Sequence, residues 1–148
     1  MPRPDIMSIA LQEAQNAALR GEVPVGAVVV RDGVVLARAG NRTRELHDPS
    51  AHAEILALRE AGTKTGSERL IGCDLWVTLE PCPMCAAAIS FARIRRLYFG
   101  TDDPKGGAVV SGARLYDLPT CHHAPEVYGG FAEMEARDLL RDFFRSRR

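Results

Sequence analysis

The chain has 148 residues, 46% hydrophobic and 26% charged, with acidic and basic residues balanced at 19 each. That profile excludes a disordered chain and fits one ordinary domain, able to bury about two thirds of its unfolded surface without disulfide staples. No run approaches the roughly 18 apolar residues that cross a bilayer, and the opening Met1-Pro2-Arg3-Pro4-Asp5 lacks the apolar core of a signal peptide, so a cytoplasmic protein with no membrane partner is expected.

Ile6, Ile9, Ala10, Ala14, Ala17 and Ala18 recur at helical spacing, predicting a first helix over Asp5 to Arg20 with Asp5 as N-cap and Gly21 as stop. Val25 to Val30 and Val34 to Ala39 are valine-rich runs joined by Asp32-Gly33, a strong two-residue hairpin signal. Ala51, Ile55 and Leu58 predict a second helix over Ala51 to Ala61, ending at Gly62. Leu75 to Leu79 reads as a buried strand that Glu80-Pro81 breaks, and Pro83 suits the first position of a third helix running to Arg93. Arg96 to Gly100 follows as a strand, then a Gly-, Pro-, Asp- and His-rich segment with a short helix near Ala113 to Leu118. Glu126 to Tyr128 is a last strand and Phe131 to Arg147 a closing helix. Strands alternating with helices predict an α/β chain, a three-layer α/β/α sandwich with a mixed central sheet, in a single domain over 1–148.

Charge is local where it is not global. The last twelve residues hold Arg137, Arg141, Arg145, Arg147 and Arg148 against Asp138 and Asp142, a patch able to meet phosphate or simply a solvated helix face. Four cysteines in a cytoplasmic chain argue for metal binding or burial over disulfides. Cys73 reads as a small core residue. Cys121 lies in a polar loop beside His122 and His123, and nothing upstream completes a second metal site with them.

The chemistry concentrates in His52-Ala53-Glu54 and, thirty residues after His52, in Pro81-Cys82-Pro83-Met84-Cys85. Each half opens a predicted helix. Three nitrogen and thiolate donors without a fourth describe a catalytic zinc site that leaves one position for water, whereas a structural site fills all four. Such a metal brings the water pKa towards about 7. Helix starts stabilise thiolates through free backbone N–H groups and the positive dipole end, so Cys82 and Cys85 suit binding as anions. His52 and Glu54 are two apart, and reach one site only from a first turn. A lone CxxC is also a redox pair and a lone His is usually structural, but HxE with PCxxC together is the signature of zinc-dependent nucleobase deaminases.

The stretches EVPVGAVVV, HDPSAHAEILALR, LWVTLEPCPMCAAAI, DPKGGA and LLRDFFRSRR closely resemble the bacterial tRNA-specific adenosine deaminases of the cytidine deaminase-like superfamily, and the resemblance covers nearly the whole chain. It implies hydrolysis of the wobble adenosine of a tRNA anticodon to inosine, zinc on His52, Cys82 and Cys85, and Glu54 as proton shuttle. It also implies a homodimer, an anticodon stem-loop as partner, and substrate contacts at Val25, Asn41, Ala53, Asp103, Lys105, Phe144 and Arg145. Between Asp102 and Tyr116 the sequence DDPKGGAVVSGARLY keeps the start of the family's loop and departs from its detail, which bears on flanking-nucleotide contacts.

Plainer roles compete at several of these positions. Asn41 could cap the turn after the second strand, Asp103 could be an ordinary loop residue before Pro104, Val25 could only start a strand, and Phe143 and Phe144 could pack a helix core. Two other functions compete as well. A deaminase of free guanine or cytosine needs a closed pocket and no phosphate-binding tail, and a zinc-stabilised RNA-binding module needs neither an open ligand position nor Glu54.

Overall fold

A computed structural model describes residues 5–147. Met1 to Pro4 of the N-terminal reading and Arg148 of the basic cluster lie outside them. Helix α1 (Ile6–Leu19) leads into the hairpin β1 (Gly26–Arg31) and β2 (Val34–Gly40). Then follow α2 (Ala53–Thr65), β3 (Asp74–Leu79), α3 (Pro83–Phe91), β4 (Arg96–Thr101), a 3-10 turn at Leu115–Asp117, β5 (Glu126–Tyr128) and α4 (Glu133–Arg145). The strands form one five-stranded sheet in the order β2-β1-β3-β4-β5. Strand β1 runs antiparallel to β2 and β3, while β3, β4 and β5 are parallel, so the sheet is mixed as the alternation of elements predicted.

The hairpin turn has φ of 52° at Asp32 and 77° at Gly33, the paired positive values that match the twist of two antiparallel strands. Strand β1 is buried on both faces, and its alternation assigns each residue to a layer. Ala27 and Val29 join Ala53, Ala57 and Ala61 of α2 and Ala86 and Ile89 of α3, whereas Val28 and Val30 join Met7 and Ala10 of α1. Fully buried Leu75, Ile89 and Leu97 each contribute on the order of 1.5–3 kcal/mol of apolar burial. Cys73 is buried in the same core, the role its neighbourhood suggested.

Several helix boundaries differ from the sequence reading: α2 starts at Ala53 and not Ala51, α3 ends at Phe91 and not Arg93, α4 ends at Arg145 and not Arg147, and two further differences have a visible cause. Helix α2 passes through Gly62 and stops at Gly66, whose φ of 70° is the left-handed cap that ends it. Helix α4 starts at Glu133, two residues after Phe131, because the Phe131 N–H donates to the Phe99 carbonyl at 3.2 Å and its ring packs edge-on to Trp76 and Tyr98, at 5.2 and 5.4 Å. Trp76 and Tyr98 are themselves stacked 4.0 Å apart. This aromatic cluster seats α4 on the sheet. Beyond the carboxyl end of β3, the starts of α2 and α3 meet, the usual place for a site in an open α/β sheet.

Candidate active site

His52 is the N-cap of α2 and Cys82 the N-cap of α3, both with extended backbone (φ, ψ of −71°, 154° and −72°, 173°). The sharp turn into α2 is held by Asp48, whose carboxylate accepts from the Ser50 N–H at 2.9 Å and hydroxyl at 2.7 Å. Pro83, at the first position of α3, fixes the other. His52 Nδ1 consequently lies 3.7 Å from Cys82 Sγ and 3.5 Å from Cys85 Sγ, and the three donor atoms all fall within 4.8 Å of one another. A zinc–nitrogen bond of about 2.05 Å and a zinc–sulfur bond of about 2.3 Å at a tetrahedral angle separate N and S by about 3.6 Å. The three side chains fit that ion. Among the described residues no other His, Cys, Asp and Glu group of three does so.

Electrostatics follow from this crowding. The Cys85 thiol and His52, both hydrogen-bonded to Cys82, draw its pKa down to about 4 against the opposing effect of burial. Cys85 moves far up, because the proton it shares favours Cys82 as the anion and because it is buried. The Cys82 thiolate raises His52 in turn. The trio thus holds protons that a cation displaces. Glu54 belongs to the first turn of α2, where the dipole favours its anion by about 0.3–1 kcal/mol. Burial outweighs that and raises its pKa, since only 4% of the residue is exposed.

A cavity of about 280 Å3 covers this cluster, lined by His52, Ala53, Glu54 and Cys82 together with Val25, Asn41, Thr43, Asp103 and Gly106. Asn41 is 7% exposed and is held by its backbone, its N–H donating to the Val25 carbonyl at 3.1 Å and its carbonyl accepting from Arg20 at 3.2 Å, while the loop after it is shaped by Asp48 and by the buried carboxylate of Glu22, which accepts the Arg44 and Glu45 N–H groups at 3.1 and 2.8 Å. A wider groove of about 800 Å3 shares Val23, Leu79 and Asp103 with the cavity and continues along Lys105, Arg137, Arg141 and Phe144. Phe144 is exposed, whereas Phe143 is half-buried beneath the Arg147 guanidinium. Arg145 is exposed on α4 and lines neither the cavity nor the groove. The pair His122-His123 divides, with His123 Nε2 bonded to the Ile94 carbonyl at 2.7 Å.

Sequence reasoning missed Val23, Thr43, Leu79, Glu80 and Gly106 in the lining, and with Glu80 a second buried carboxylate, Glu22. A signal for Glu80 existed: an acidic residue closing an apolar strand, paired with a distant Gly-Gly step.

Across residues 1–148 the chain matches the family model of the MafB19-like deaminases. It is 64% identical over 146 residues to the tRNA-specific adenosine deaminase of Agrobacterium fabrum, a match covering 99% of this chain and 96% of that protein. A solved structure from biochemical and structural studies of A-to-I editing by tRNA:A34 deaminases at the wobble position of transfer RNA has a TM-score of 0.90 and 65% identity to it, covering 90% of this chain and 97% of that one. Guanine deaminase from Bacillus subtilis is more distant, with a TM-score of 0.68 and 28% identity over 99% of this chain and 94% of that one. Identity near two thirds along almost the full length joins the sheet order and the clustered helix starts in one conclusion: the chain belongs to the MafB19-like deaminase family, among the tRNA-specific adenosine deaminases.

Proposed function

We propose that this protein hydrolyses the wobble adenosine of a tRNA anticodon to inosine, with zinc held by His52, Cys82 and Cys85. The observation that carries the reading is a base-sized cavity over a three-donor cluster that runs on into a groove bearing Lys105, Arg137, Arg141 and Phe144. A free base needs no such extension. When bound, zinc supplies a water acidified towards neutral pH.

The chain's own residues do the rest. Asn41 offers one amide that both donates and accepts, enough to orient a base edge, while Val25 and Ala53 close on its faces. Glu54, buried at the cavity wall two residues from His52, takes a proton from the attacking water and gives it to the ring nitrogen beside the amino-bearing carbon. As the new C–O bond forms and the C–N bond breaks, Glu54 delivers the second proton to the departing amine. Ammonia leaves and inosine remains. Asp103, Lys105, Phe144 and Arg145 contact the nucleotides around the target, which a loop exposes at less cost than a duplex.

The protein acts in the cytoplasm as a homodimer, a reading supported by the family resemblance. Among the described residues no helix is long and apolar enough to cross a membrane. Deamination assays run side by side on an anticodon stem-loop, free guanine and free cytosine test the function. Turnover of the stem-loop that weakens as salt rises is expected. Efficient turnover of a free base with none of the stem-loop overturns the reading in favour of nucleobase salvage.

A further inference from the structure

Glu80 is 2% exposed, yet it is not used by the chemistry above. Its Oε1 accepts the Asp103 N–H at 2.8 Å and the Ser111 hydroxyl at 2.9 Å. Its Oε2 accepts the N–H groups of Val109, Val110 and Ser111 at 3.0, 2.9 and 2.9 Å. A carboxylate has about four lone-pair sites, so five donors leave it nothing with which to ligate a metal or take a proton. It is an anion set in a nest of backbone amides.

Those amides belong to residues 102–111, a segment of turns and bends with no strand or helix to satisfy them. Gly107 permits the arrangement, because a Cβ there would sit 2.4 Å from the Glu80 carboxyl carbon. The loop is tied at two more points: the Ala108 N–H donates to the carbonyl of Pro81, the residue before Cys82, at 2.9 Å, and Asp103 Oδ1 accepts from Lys105 and Gly106 at 3.2 and 3.0 Å. Its inner half is buried on Glu80. Its outer half supplies Asp103 and Gly106 to the cavity and Asp102, Pro104 and Lys105 to the groove.

We infer that Glu80 is a positioning residue, holding loop 102–111 in the shape that receives the nucleotides flanking the target base. The inference rests on the proposed tRNA reading. It also explains why the Asp-Pro-Lys-Gly-Gly step is paired with an acidic residue more than twenty positions earlier.

The test is steady-state deamination of an anticodon stem-loop by wild type, Glu80→Gln and Ser111→Ala, with zinc content measured for each and with the nucleotides beside the target adenosine varied. Glutamine keeps the size of Glu80 but turns an amide towards N–H donors. In Glu80→Gln, KM should rise about tenfold while kcat falls less than about threefold, zinc stays bound, and the penalty for changing flanking nucleotides shrinks. Ser111→Ala removes one donor and should raise KM about threefold in the same pattern. Wild-type KM and flanking discrimination in Glu80→Gln overturn the inference, as does loss of kcat at unchanged KM. If Glu80→Gln does not fold, Ser111→Ala decides, and an unchanged KM overturns it. A wild type inactive on the stem-loop instead overturns the tRNA reading, and this inference falls with it.

Discussion

Helix α1 begins with the same extended backbone as α2 and α3 but with the opposite use of its cap. Asp5 accepts the Met7 N–H at 3.1 Å and the Ser8 hydroxyl at 3.0 Å, satisfying the helix end from its own side chain. His52 and Cys82 make no side-chain cap bond at all. A cap contributes about 1 kcal/mol, so the two starts together forgo about 2 kcal/mol of local stability. What they gain is a pair of positive helix ends facing one point, with donors that lean past the first turn to meet there. The local rule of helix capping is broken at the two starts where the donors meet and kept at the start of α1.

Cys82→Ser tests that trade most severely, because serine is a good cap and a poor zinc ligand. Zinc at limiting concentration should be lost and deamination with it. The metal-free variant should nonetheless be more stable than metal-free wild type, by about 0.5–1 kcal/mol in urea unfolding. A variant that keeps zinc removes Cys82 from the ligand set. One that loses zinc without gaining stability shows that the bare helix start costs nothing.

Glu54→Ala comes next. The residue lies in the first turn of α2, two positions after the N-cap His52, and in the proposed reaction it moves protons and holds no metal, so zinc should stay at about one per chain while the single-turnover rate falls by roughly 10²–10⁴-fold. Loss of zinc would move Glu54 into the metal shell. Retention of rate would remove it from the reaction.

The two helix starts were legible in the sequence because each is a local pattern: HxE after Asp-Pro-Ser, and PCxxC with Pro at the first helical position. The hairpin was legible for the same reason, through Asp32-Gly33. The length of α2 was not. Gly62 and Gly66 are equally able to stop a helix, and the choice fell to packing: Ala61 is fully buried and the Thr65 hydroxyl bonds back to its carbonyl at 2.9 Å, carrying the helix on. Loop 102–111 was the least legible, since Glu80 binds partners 23 to 31 residues away and no periodicity marks such contacts. Phe143 and Phe144 are adjacent and chemically alike. Only the seat of α4 makes one half-buried and the other exposed.

The smallest expected effect lies at the conventional end of the comparison. Asp5 is exposed and caps α1, whose buried Met7 and Ala10 pack against Val28 and Val30 on the face opposite α2 and α3. Asp5→Ala should therefore cost about 1 kcal/mol and lower the melting temperature by roughly 3 °C for a chain of this size. Asp5→Asn should cost almost nothing, because asparagine caps as well as aspartate. Neither variant should change zinc content, kcat or KM, since the cap acts on the first turn of α1, whereas it is the opposite end of that helix, at Arg20, that reaches the Asn41 carbonyl at 3.2 Å. Equal losses of stability in both variants would assign the effect to charge and not to the cap. A fall in activity at unchanged stability would mean that the start of α1 reaches the site after all, and the division between a helix start built for stability and two built for chemistry would not hold.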